Sequence, residues 1–284
     1  MRPVSDRNST EISARHVIVT GGSSGIGAAI ADAYALSGAN ISLIARTKVA
    51  LLAKMRELDD RFGPGGQRFH FEVADVCDAR TTTDAIGRCV GELGPCDILV
   101  ACAGIVDPAP FDMQEADRFD AQIATNLLGT ANTVRAVFGN MKKRGAGQIL
   151  IIGSGAGLIG IFGYSAYCAS KAGLIGFAEA LRQEGRPHGV KVSICHPPDT
   201  ETPQLVAERE LRPAEARAII GGAPTWSANA VAEAAIRGLE CNRPAIHPGL
   251  AIKALAHSGF LAPLLRSWFD RKIARAKRAE SGRR

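Results

Sequence analysis

The run His16-Val17-Ile18-Val19-Thr20 leads without a break into Gly21-Gly22-Ser23-Ser24-Gly25-Ile26-Gly27, and then into an alanine-rich stretch that ends at Ser37. Five β-prone residues read as a short buried strand, and the stretch after the glycines has helical periodicity. The glycines between them permit a turn that brings the backbone close to whatever lies above it. Gly38 is placed to stop the helix, and Asn40 to Ala45 reads as a second strand. A strand, crossover helix and second strand of this length form a parallel pair, and parallel pairs are stable only when helices cover both faces.

The alternation continues. The pattern predicts helices from about Val49 to Phe62, Ala79 to Leu93, Arg118 to Lys143 and Ala166 to Gln183. Strands are predicted from Arg68 to Val73, Asp97 to Cys102, Gln148 to Ile152 and Val190 to Cys195. The fold class is therefore α/β: a single Rossmann-type doubly wound parallel sheet with helices on both faces. No short repeat and no Pro/Ser-rich linker divides the chain. The expected organisation is a polar segment over 1–14, one catalytic domain over 15–248, and an amphipathic, basic extension over 249–284.

The 284 residues carry a net charge of +6, which raises the question of nucleic acid. Residues 266–284 hold eight basic and two acidic side chains, leaving 26 of each sign elsewhere. The body is neutral and only the tail is basic, which excludes nucleic-acid binding by the domain. Seven widely spaced cysteines without a Cys-x-x-Cys pair argue against a disulfide framework and a zinc site, and suggest a reducing, cytoplasmic setting. The first fourteen residues lack the apolar run of a signal peptide.

The glycine turn has a chemical reading. Gly21, Ser23, Ser24, Gly25, Ile26 and Gly27 let the backbone approach a pyrophosphate at the amino-terminal end of a helix. After the second strand, where an acid would bind a ribose 2′-hydroxyl, the chain has Arg46. A guanidinium there suits a 2′-phosphate, so NADPH is expected over NADH. Asp75 and Val76 follow the third strand, where a carboxylate would accept from the adenine amine. Further on, Tyr167 and Lys171 stand four apart and share a helix face. An ammonium there is expected to favour the phenolate and bring Tyr167 closer to neutral proton exchange.

These motifs together resemble the short-chain dehydrogenase/reductase family: Thr20 to Gly27, Asp75, Cys102-Ala103-Gly104, Asn126, Ser154, Tyr167 and Lys171 occur in the family's order over about 230 residues. The resemblance implies ketone chemistry with Tyr167 as general acid and Ser154 orienting the carbonyl oxygen. Lys171 would hold the nicotinamide ribose, and Asn126 would help hold a relay water. Ala103 and Gly104 would pass beneath the cofactor, while Pro197, Thr200 and Thr202 would sit at the nicotinamide. Two positions depart from the family. Cys102 replaces the usual Asn, weakening one hydrogen-bonding support, and Pro197-Pro198 replaces Pro-Gly, implying a stiffer loop.

Within the family, the approach Gly160 to Tyr167 and the loop Pro197 to Pro203 resemble 3-ketodihydrosphingosine (3-dehydrosphinganine) reductases. This implies a long-chain amino-ketone lipid as substrate, with Asp199 and Glu201 as carboxylates that would face its amine. Other lipid ketones, of 3-oxoacyl or steroid type, and a non-catalytic NADP-binding sensor or scaffold are the competing readings. Relatives imply a homo-oligomer through the helices carrying Asn126 and Tyr167. Pro244 to Leu265 has one strongly charged residue, Lys253, ahead of the basic tail. Its prolines and histidines oppose a membrane span, so residues 250–284 are read either as a peripheral contact with an anionic membrane, through Leu255, Phe260, Leu261, Leu264, Leu265, Trp268 and Phe269, or as a cover for the cleft or a subunit interface.

Overall fold

β1 (His16–Thr20) is buried along its whole length, as a run without exposed polar positions requires. In the computed structural model, which describes residues 15–222, 224–257 and 262–281, it lies near the middle of a seven-stranded sheet. β2 (Asn40–Ala45) and β3 (Phe69–Val73) extend the sheet to one side. β4 (Ile98–Ala101), β5 (Gly147–Ile152), β6 (Val190–Cys195) and β9 (Ala245–Ile246) extend it to the other. The order is β3-β2-β1-β4-β5-β6-β9, and every pairing is parallel. Strand order reverses between β1 and β4, which opens a crevice at their carboxyl ends.

Alternate strand residues fill two separate cores. Val17, Val19, Ile41, Leu43 and Val100 face α1 (Gly25–Leu36), α2 (Lys48–Phe62) and α9 (Ala228–Glu240). Ile18, Ile44, Leu99, Ile149 and Ile151 face α3 (Ala79–Leu93), α5 (Gly129–Arg144) and α6 (Ser165–Gly185). Both faces are thus covered, as the unbroken apolar strands imply.

Two features differ from the sequence expectation. The seventh strand, β9, is two residues between Pro244 and Pro248, too short to carry a periodic signal. The long helix expected from Arg118 to Lys143 is split into α4 (Ala116–Ile123), a π turn over Ala124–Leu128, and α5. The hydroxyls of Thr130 and Thr133 donate to the Asn126 and Gly129 carbonyls, each at 2.8 Å, and so satisfy groups beside the widened turn.

The extension packs against the domain, one of the arrangements that the sequence leaves open. α10 (Gly249–His257) and α11 (Ala262–Ser281) do not form a separate appendage. α10 lines the cleft at the carboxyl ends of the strands, and α11 packs on α8 (Ala214–Ile220). Lys277 sets its ammonium 5.7 Å from the Phe162 ring centroid. No helix among the described residues is long and apolar enough to cross a membrane. Of the residues expected at a membrane, Leu255 lines the cleft, Leu265 and Phe269 are half-buried and Trp268 is exposed. Phe260, Leu261 and the Leu264 side chain lie outside the described residues.

Candidate active site

The crevice between the carboxyl ends of β1 and β4 opens into a cleft of about 710 Å³ that is mostly apolar in lining. At one end are Gly21, Ser23, Ser24, Gly25 and Ile26, with Arg46, Asp75 and Val76 beside them. Ala103 and Gly104 form its floor, Ser154, Tyr167 and Lys171 its centre, and Pro197, Thr200 and Thr202 its roof. Gly27 and Asn126 stand behind this wall and shape it.

The glycine turn fits a dinucleotide on physical grounds. Gly21 adopts φ +69°, and a Cβ there would lie 2.8 Å from the Ala103 nitrogen. Gly25 adopts φ +58°, and its Cβ would meet the Thr202 methyl at 3.0 Å. Gly27 packs against the Gly21 carbonyl with no room for a side chain. The helix behind them is also uncapped: Ser24 makes no side-chain capping bond, and the first turn holds no acid. Its free N–H groups and dipole face the cleft, where an anion completes them. The Cys102 amide donates to the Thr20 carbonyl at 3.2 Å and the Thr20 hydroxyl at 3.3 Å, which ties this position to the end of β1.

At the outer end, the Arg46 guanidinium lies 4.0 Å from the Asp75 carboxylate, and both are substantially exposed. Exposure and distance make the contact weak. Both groups are available to a ligand that crosses the ends of β2 and β3.

In the centre, the cleft brings Ser154, Tyr167 and Lys171 together. Ser154 ends β5, and its hydroxyl accepts from the Ala156 amide at 3.1 Å. Burial pushes the Tyr167 phenol above its ordinary value; the Ser154 hydroxyl pulls the other way, and the Glu208, Cys168 and Asp199 charges push it up further. Lys171 donates to the Ile152 carbonyl at 2.9 Å, and burial pushes its pKa down to about 8. The expected lowering of the Tyr167 pKa by Lys171 is therefore not met within the protein, because desolvation outweighs an ammonium turned toward a main-chain carbonyl.

Asn126 is fully buried. Its Oδ1 accepts from the Ile105 amide at 2.8 Å, while Nδ2 donates to the Ile105 carbonyl and the Ser170 hydroxyl, each at 3.0 Å. Ser170 in turn donates to the Tyr167 carbonyl at 2.8 Å. The side chain thus ties the cleft floor to the helix of the tyrosine, with Nδ2 bonded to both.

The roof is a flap. β7 (Thr200–Glu201) pairs with β8 (Trp226–Ser227) in a two-stranded sheet of its own. The Thr200 hydroxyl donates to the Pro198 carbonyl at 2.8 Å, and Thr202 caps α7 (Pro203–Leu211) by accepting from the Leu205 amide. Glu201 is exposed and accepts from Thr225 at 3.0 Å, and Asp199 pairs with Arg212 at 2.8 Å. These bonds engage one oxygen of each carboxylate, Glu201 Oε1 and Asp199 Oδ2.

A network that the sequence reading missed lies here. The Tyr164 hydroxyl donates to Glu208 Oε1 at 2.6 Å, and the buried Arg212 bridges Glu208 and Asp199. Only the Glu208 and Arg212 spacing, four apart, offered a sequence signal.

A family model described as short chain dehydrogenase matches residues 15–212. The 3-ketodihydrosphingosine reductase of Bos taurus is 40% identical over 205 residues, which are 72% of this chain and 62% of that protein. A 3-ketodihydrosphingosine reductase of Dictyostelium discoideum is 30% identical over 283 residues, 93% of this chain and 84% of that one. A solved short-chain dehydrogenase from Sphingobium yanoikuyae in complex with NADPH is 27% identical with a TM-score of 0.74, covering 84% and 90% of the two chains. The glycine turn, the switch-point cleft and the Ser154, Tyr167 and Lys171 cluster have the same basis as these likenesses: this chain belongs to the short chain dehydrogenase family.

Proposed function

We propose that this protein reduces the 3-keto group of 3-ketodihydrosphingosine to sphinganine with NADPH as donor. The observation that carries the reading is a single cleft in which Ser154, Tyr167 and Lys171 adjoin a wall of Ile159, Ile161, Leu205, Ile252 and Leu255. A proton-transfer centre beside so apolar a wall suits a ketone on a long hydrocarbon. The similarity to two 3-ketodihydrosphingosine reductases supports the same substrate.

NADPH supplies the hydride to the carbonyl carbon. The protein's part is the proton and the alignment. Ser154 donates to the carbonyl oxygen and fixes its place. Tyr167, whose phenol burial keeps protonated at neutral pH, delivers its proton to that oxygen as the alcohol forms. Lys171 holds the nicotinamide ribose hydroxyls and, when charged, stabilises the phenolate left behind. Asn126 acts from behind the wall by fixing the Gly104 and Ile105 backbone. Gly21, Ser23, Ser24, Gly25, Ile26 and Gly27 hold the pyrophosphate, and Arg46 holds the 2′-phosphate. Asp75 and Val76 would hold the adenine, Ala103 and Gly104 would support the cofactor from below, and Pro197, Thr200 and Thr202 would receive the carboxamide.

The same reading includes a homo-oligomer through the outer sides of α5 and α6, where a Cβ on Gly139 or Gly176 would face open space. It also puts the enzyme in the cytoplasm, in peripheral contact with an anionic membrane through 250–284. The exposed Leu250 and Trp268 and the basic run support that contact.

The test is NADPH and NADH oxidation by purified protein with 3-ketodihydrosphingosine, 3-oxoacyl thioesters and a steroid ketone. Preferential oxidation of NADPH with 3-ketodihydrosphingosine is expected. Faster turnover of a thioester or steroid would replace the substrate, and no turnover of any would leave the sensor reading.

A further inference from the structure

The substrate end of the cleft carries one charged cluster in otherwise apolar surroundings. Arg212 sits between two carboxylates, Asp199 Oδ2 at 2.8 Å and Glu208 Oε1 at 2.7 Å, and its side chain is 6% exposed. Two negative charges against one positive leave an excess of one negative charge. Glu208 and Asp199 both line the cleft, and the Glu208 side chain is only 12% exposed. Asp199 is 25% exposed, and a partly buried excess charge of this kind favours a group of opposite sign beside it.

The hydrogen bonds show which atom waits. Glu208 accepts from the Tyr164 hydroxyl and from Arg212 Nε and Nη2, and all three bonds end on Oε1. Among the described residues no donor is bonded to Oε2, which can take a further one. Its place relative to the chemistry is set by stacking: the Tyr164 ring meets the Tyr167 ring edge-on, with centroids 6.2 Å apart. The carboxylate is therefore held one aromatic side chain away from the phenol that serves the ketone. The electrostatic influence of both Glu208 and Asp199 on Tyr167 agrees with that proximity.

We infer that Glu208, set by Tyr164 and Arg212, is the specificity residue that receives a cationic amine on the carbon next to the ketone. The inference rests on the proposed reaction for its substrate class. It explains how a cleft of this family distinguishes an amino ketone from a 3-oxoacyl or steroid ketone, which brings no cation to Oε2. The purely structural role, stapling α7 and α8 to the flap, needs the hydrogen bonds but not the excess charge.

Binding separates the two roles without requiring turnover. Sphinganine and N-acetylsphinganine differ in the charge at that nitrogen. Each is titrated into the full chain with NADP present, following Trp226, which lines the cleft. The wild type is expected to bind sphinganine roughly 10-fold or more tightly, the scale of one charge-assisted hydrogen bond. Glu208→Gln retains an acceptor for Tyr164 and removes the charge, and is expected to cut the preference to about 3-fold or less. Asp199→Asn removes the same excess charge from the other side of Arg212 and is expected to act in the same direction, which covers a failure of the first variant to fold. Equal affinities in the wild type, or an unchanged ratio in folded Glu208→Gln, overturn the inference. If sphinganine is preferred but 3-ketodihydrosphingosine is not reduced, the proposed reaction fails and the amine site stands. Reduction without any amine preference has the opposite meaning.

Discussion

Lys171 gives its hydrogen bond to the Ile152 carbonyl at 2.9 Å, and its ammonium lies 5.7 Å from the centroid of the Tyr167 ring. The lysine therefore acts on the tyrosine through space, from a buried position that lowers its own pKa to about 8. Its ordinary value is 10.5. Between those two values the unfolded chain holds a proton that the folded chain has released, so this residue's contribution to stability rises with pH across the window. Lys171→Met is expected to flatten the rise, measured as urea midpoints at pH 7.5, 9 and 10. A slope identical to the wild type would count against the buried, depressed lysine. On the free enzyme, kcat/KM is expected to fall as the pH passes about 8 and the ammonium is lost.

Tyr167→Phe removes the proton donor and leaves the ring in place. The expected loss in kcat is about 10²- to 10⁴-fold, the usual contribution of a positioned acid. NADPH affinity, read by fluorescence, should stay within about 3-fold. Ser154→Ala is expected to cost about 10²- to 10³-fold through the loss of one oxygen-orienting donor. Retention of turnover in Tyr167→Phe would assign the proton transfer to another group.

Arg46 stands 58% exposed at the end of β2, where its removal strands no buried partner. Arg46→Ala is expected to raise KM for NADPH roughly 10- to 100-fold, the scale of charge-assisted hydrogen bonds to a phosphate. KM for NADH should change by less than about 3-fold. Equal effects on both cofactors would show that Arg46 does not read the 2′-phosphate.

Asn126→Ala strands the Ile105 amide and carbonyl. Each buried group left without a partner costs about 1–3 kcal/mol, so a clear fall in Tm is expected by calorimetry. NADPH affinity should weaken as well, because Gly104, whose Cβ would lie 3.2 Å from Asn126 Oδ1, loses its support. A loss of stability without any change in cofactor affinity would confine Asn126 to the fold.

The parts of the molecule that follow from local patterns were readable from the chain alone. The six longer strands are short runs rich in apolar residues, and the glycine turn joins one of them to a helix. Tyr167 and Lys171 share a helix face by their spacing. What escaped depends on neighbours distant in sequence. β9 is two residues whose only reason to be a strand is the open edge of β6. The π turn at Asn126 interrupts a periodicity that continues on both sides, and the partner of its side chain is the Ile105 backbone 21 residues away. Arg212 lies in a charged stretch that reads as solvated surface, yet Asp199 and Glu208 draw it inside. Desolvation likewise decides the sign of the Tyr167 shift, and burial of that phenol is visible only in the folded chain.

α10 and the flap meet where Gly249, at φ +79°, brings its α-carbon against Trp226. Ser154, Tyr167 and Lys171 all precede Cys195, whereas Leu205, Glu208, Ile252 and Leu255 of the cleft wall follow it. A lineage can therefore exchange the carboxyl-terminal third and acquire a new substrate without disturbing hydride transfer, much as a tool keeps its handle while the bit is changed. For the engineer, libraries confined to residues 204–212 and 249–257 sample preference at the least risk to turnover.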